Sequence, residues 1–116
     1  MPHYILMQTA KCIAASAVDF IKAGRTIPGV RIEGRWDPVL EGQRQYDVAV
    51  ATTPHTVGFL DSLSLEARTA ALLNLFATDP RYECARNFTK QMVFHFPITL
   101  ALYVECAWRE RTAKIL

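Results

Sequence analysis

Apolar residues recur at steps of three and four near the start of the chain, give way to strict alternation, and then return to helical spacing. Between Tyr4 and Ala23, the residues Leu6, Ala10, Ile13, Ala17, Phe20 and Ile21 form one stripe, which predicts a first helix. Gly24 supplies its stop, because glycine adopts the left-handed conformation that closes helices. From Val30 the rhythm has period two. Val30, Ile32, Gly34 and Trp36 alternate with Arg31, Glu33, Arg35 and Asp37. Tyr46, Val48 and Val50 alternate with Asp47, Ala49 and Ala51. Side chains on a strand point to opposite faces every second residue, so an antiparallel hairpin over about 30–53 is expected. Asp37-Pro38 and Gly42 fit its connecting loop.

Beyond Thr53, Pro54 to Gly58 reads as a turn, and Asp61, Ser62 and Ser64 are candidate N-caps for a second helix. Leu65, Thr69, Leu72, Leu73 and Phe76 form its stripe, and it ends near Ala77. Asp79-Pro80 reads as a cap followed by proline at the first position of a third helix. That helix carries Tyr82, Ala85, Phe88, Thr89 and Met92 on one side, and Arg81, Arg86, Asn87 and Lys90 largely on the other. Met92, Phe94 and Phe96 alternate with Val93 and His95, which fits a third strand near 92–96. Pro97 opens a new segment. Ile98, Ala101, Val104 and Trp108 keep helical spacing to about Lys114, although the β-branched and aromatic content of 98–104 also suits a strand. The expected fold is a single α+β domain over 1–116: an N-terminal helix, the hairpin, and two or three further helices.

A chain of 116 residues, 51% hydrophobic and 21% charged, buries a sizeable core without metals or disulfides. Its net charge of +2 lacks the strong basic excess of a dedicated nucleic-acid binder. Cys12, Cys84 and Cys106 are odd in number and widely spaced, so buried free thiols in a reducing cytoplasm are expected. Lys11 interrupts the apolar run from Ile5 to Ala17, which argues against a secretory signal. The apolar run Met92–Trp108 is shorter than the roughly 20 residues of a spanning helix and contains His95, Pro97 and Glu105, so no membrane role is expected.

Candidate chemistry is sparse. No phosphate-cradling, zinc-protease or nucleophile-elbow motif occurs, and the five glycines are scattered. His3, His55 and His95 are too far apart in sequence to form a metal pair such as HxxxH. His95, inside an apolar run, reads as a core residue, and His55, in a turn, as the one histidine around which a small enzyme site is conceivable. Glu105 is expected to face solvent and to pair with Arg109 one turn later. No catalytic residue, metal or cofactor is assigned.

Two surfaces suggest partners. Trp36 and Tyr46 are large aromatic groups near the hairpin's loop end, with Val39 and Leu40 between them and Arg35 and Arg44 alongside. Such groups anchor interfaces, and a hairpin edge accepts a further strand. The leading expectation is therefore a non-enzymatic module that binds another protein or complex as an inhibitor or adaptor. Small accessory proteins of phages and mobile elements are of this kind. Spare apolar surface also suits a homodimer. The alternative is a nucleic-acid accessory protein reading through Arg81, Arg86, Asn87 and Lys90, with Gln91 beside them.

Overall fold

The computed structural model describes residues 3–24 and 56–115. Its elements are α1 (His3–Lys22), α2 (Val57–Ser62), α3 (Leu65–Thr78), a 3₁₀ helix (Pro80–Ala85), α4 (Arg86–His95) and α5 (Pro97–Ala113). Helix accounts for 89% of the described residues and strand for none, so the expected α+β class is replaced by a small helical domain. The hairpin expected over 30–53 lies outside the described residues. The strand expected near 92–96 does not form: residues 92–95 complete α4. The alternative strand over 98–104 is likewise the first half of α5.

Local signals set most of the boundaries. α1 ends at Gly24, whose φ of +65° lies in the left-handed region that glycine enters without steric cost. Thr56 caps the short helix α2, its hydroxyl oxygen accepting from the Phe59 amide at 2.9 Å, where only a turn is expected from the sequence. Ser64 proves to be the cap of α3 and accepts from the Ala67 amide. Asp79 accepts from the Arg81 amide, and Pro80 takes the first helical position after it. Phe96, with φ −136° and ψ 52°, breaks the chain between α4 and α5, and Pro97 starts the new helix.

The core is built on α1, α3 and α5. α1 buries Leu6, Ala10, Ile13, Ala14, Ala17, Val18 and Phe20. α5 buries Leu100, Ala101, Val104, Ala107 and Trp108. His3 bonds Tyr103, while Lys11 faces Ala107, Glu110 and Arg111, so α1 and α5 run side by side in the same direction. The small residues Ala10, Ala14, Ala17, Ala101 and Ala107 allow close approach of these helices. α3 is buried on every side, with each residue from Ala67 to Phe76 inside. Burying one Leu, Ile or Met side chain fully contributes about 1.5–3 kcal/mol of transfer free energy. Ile13, Leu60, Leu72, Leu75, Met92 and Leu100 are all buried to that degree, and Trp108 is the largest fully buried side chain. α1 has the length and mean hydropathy, 1.2, of a membrane span, yet its buried face is part of this core.

Two polar latches join α2, α3 and α5, one centred on Arg68 of α3 and one linking α5 directly to α2. The Arg68 guanidinium donates from Nε to Glu105 Oε1 at 3.2 Å and from Nη2 to Oε2, and its Nη1 donates to the carbonyls of Leu60 and Leu63. Glu105 also pairs with Arg109 at 3.4 Å, as expected, but it is largely buried rather than solvent-facing. Trp108 donates its indole N–H to Asp61 at 2.9 Å.

Candidate functional site

The hairpin-loop surface of Arg35, Trp36, Val39, Leu40, Arg44 and Tyr46 lies outside the described residues, as does His55. The nucleic-acid alternative can be placed. Arg81 is bound on two sides: its Nη2 meets Asp79 at 2.7 Å and its Nη1 meets Asp19 at 2.8 Å. Ser16 donates to the same Asp79 carboxylate at 2.7 Å. The Arg81 guanidinium, opposed by burial and helped by the Ser16 hydroxyl, holds the Asp79 carboxyl down from 3.8 to about 2. The two carboxylates in turn raise the pKa of Arg81. This side chain ties α1 to the 3₁₀ helix and has little left for a phosphate. Arg86 stands 3.9 Å from Glu83. Asn87, Lys90 and Gln91 are exposed. The four expected readers therefore do not form one free basic face.

Other expectations are corrected by the observed exposures. His95 is exposed at the end of α4, against the side of Phe94, and is not a core residue. Cys84 and Cys106 are exposed, and Cys12 is half-buried, so only the free state of the thiols matches expectation. Phe88 is 43% exposed, while Val93 joins Thr89 and Met92 inside.

The surface that sequence reasoning missed lies on α4 and α5. Phe94, Ile98 and Leu102 are 71%, 59% and 54% exposed. They recur every fourth residue across the break at Phe96. On α5, Ile98 and Leu102 are neighbours one turn apart, on the side away from buried Leu100, Val104 and Ala107. Scattered exposed apolar residues are ordinary, but two large ones one turn apart on α5, with a third exposed four positions earlier at the end of α4, stand out. A signal for it is present in the sequence: the 94/98/102 spacing runs beside a second apolar set at 100/101/104, so α5 has more apolar residues than one buried face needs. The ends of the stripe are basic. Lys90 lies one turn before Phe94, and beyond Leu102 the single carboxylate of Glu105 is shared by Arg68 and Arg109.

Two hollows lie on the described surface. One, of about 340 Å³, is lined by Asp19, Phe20, Ala23, Asp79, Pro80 and Arg81, whose charged groups are already engaged with one another. The other, of about 230 Å³, lies between α1 and α5. No group of three His, Cys, Asp or Glu side chains suited to a metal ion occurs among the described residues. No protein-family model, curated protein or solved structure matches the chain.

Proposed function

We propose that the protein is a non-enzymatic binding module that docks an amphipathic helix of another protein on the exposed stripe of Phe94, Ile98 and Leu102. The exposure of these side chains carries the proposal. Large apolar anchors at helical spacing are what a partner helix requires for groove-and-ridge packing. Burying one such side chain contributes about 1.5–3 kcal/mol of transfer free energy, which gives the partner a reason to bind there.

Charge selects the kind of partner. Both ends of the stripe carry basic residues, Lys90 before it and Arg109 after it. Two copies of this stripe facing each other would bring like charges together, which works against a homodimer through this face. A partner with an apolar stripe flanked by Asp or Glu satisfies both the apolar and the charged parts.

The test is capture from the native host with the wild-type protein and with an Ile98→Ser/Leu102→Ser variant, both checked for helical content. A protein retained by wild type, lost with the variant, and bound again when purified supports docking at the stripe. Identical capture profiles for the two proteins refute it.

A further inference from the structure

We propose that the hollow between α1 and α5 is a site for a small phosphate-bearing anion, distinct from the docking stripe. Lys11 of α1 and Arg111 and Lys114 of α5 line it, and Ala107 and Glu110 complete it. Ala107 is only 8% exposed, and its methyl group leaves the space that a larger side chain would fill.

The charges in this hollow are unspent. Among the described arginines, Arg68 pairs with Glu105, Arg81 with Asp79 and Asp19, Arg86 with Glu83 and Arg109 with Glu105. Arg111 alone makes no ion pair, and neither do Lys11, Lys114 or the adjacent Glu110. Arg111 and Lys114 near the end of α5 also complement the helix dipole, which accounts for them in part. The dipole does not account for Lys11, which comes from the middle of another helix and interrupts an apolar run to reach the same hollow.

Size and charge define the ligand. A volume of about 230 Å³ is below the roughly 300–1,000 Å³ of sites for drug-sized molecules, so one anionic group fits rather than a whole dinucleotide. Three cations less one carboxylate leave two positive charges, which match a phosphate monoester dianion. The Arg111 fork suits two phosphate oxygens, and the lysines act as point charges. Glu110 leaves an acceptor at the rim for a hydroxyl group of the ligand. A single hollow of this size does not track a nucleic-acid backbone. The stripe of Ile98 and Leu102 lies on the other side of α5, so the two surfaces are independent.

The phosphate belongs either to a free molecule or to a lipid headgroup. The test titrates the whole chain with inorganic phosphate at constant ionic strength, following the NMR signals of Lys11, Arg111 and Lys114. A parallel arm measures sedimentation with phosphatidylcholine vesicles that carry phosphatidic acid. Arg111→Gln and Lys11→Gln serve as variants, both at exposed positions that leave the core intact. Saturable shifts that weaken about tenfold or more in either variant support the site and a free ligand. Vesicle binding lost in the variants, with no response to free phosphate, supports the site and a lipid source. No response to either probe overturns the proposal, and so does a response that both variants retain unchanged.

Discussion

Arg68 in α3 and Glu105 in α5 meet as a two-point pair inside the helical core, with side chains 7% and 15% exposed. The remaining donor of Arg68 closes the end of α2 through the Leu60 and Leu63 carbonyls. One guanidinium therefore joins three helices. Removing one partner of such a buried pair costs more than the pair contributes, because it strands the other charge. Arg68→Ala is expected to cost about 3 kcal/mol or more in urea unfolding. Arg68→Met/Glu105→Leu is expected to recover most of that loss, since a matched apolar pair strands no charge. A double variant as unstable as the single one contradicts this role.

Asp79 sets an acid limit on stability. Its folded-state pKa of about 2 lies below the ordinary aspartate value of 3.8, so the folded state favours the carboxylate. The corresponding stabilisation is present above pH 4 and is lost as the pH falls towards 2, because the unfolded chain takes up the proton first. It is on the order of 1–2 kcal/mol after allowance for the half-exposed Arg81. Denaturant midpoints measured from pH 5 to pH 2 should fall more steeply for wild type than for Asp79→Asn. Parallel curves would show that Asp79 is not the group responsible.

Asn74 is 1% exposed, and neither its amide nitrogen nor its amide oxygen has a hydrogen-bond partner. Each unpaired buried polar group costs about 1–3 kcal/mol. Asn74→Leu is similar in size and removes both groups. It is expected to raise stability by about 1 kcal/mol or more, read as a higher denaturation midpoint. A lower midpoint would mean that the pocket around residue 74 does not accept an apolar side chain.

The thiols should react in two classes. Cys84 and Cys106 are exposed, and Cys12 is half-buried. A thiol reagent under native conditions is expected to modify two cysteines quickly and Cys12 slowly, and all three together once the chain is unfolded. A single fast phase of three thiols would contradict the packing of α1 against α5.

Helix punctuation was legible in the sequence because it is local. Gly24, Ser64 and Pro97 each act on their own few residues and end or start a helix as expected, while Asp79-Pro80 starts a 3₁₀ segment, irregular at Tyr82, and the expected third α-helix begins only at Arg86. The alternation at 92–96 misled because five residues do not separate the two periods. Met92 and Val93 are buried, Phe94 and His95 exposed, and Phe96 partly buried, which is the pattern of adjacent and fourth-neighbour positions on a helix. The same turn carries His95 outwards and begins the exposed stripe. Ile98 shares helical spacing with Ala101, Val104 and Trp108, yet those three are buried and Ile98 is exposed, at the solvent edge of that face. Arg68 and Glu105 each stand out as charges in apolar runs, but their pairing across 37 positions depends on how α3 and α5 pack. The same holds for Ser16 with Asp79 and for Asp19 with Arg81.

Docking at the α4–α5 stripe is tested most directly by the affinity of a purified, captured partner for the wild-type protein and for Leu102→Ser. Interface anchors of this type cost about 2 kcal/mol or more when truncated, a loss of roughly thirtyfold in affinity. A loss of that size, with the helical content and unfolding midpoint of Leu102→Ser unchanged, is the expected result. Equal affinities of the two proteins for every captured partner would contradict the stripe as the docking surface.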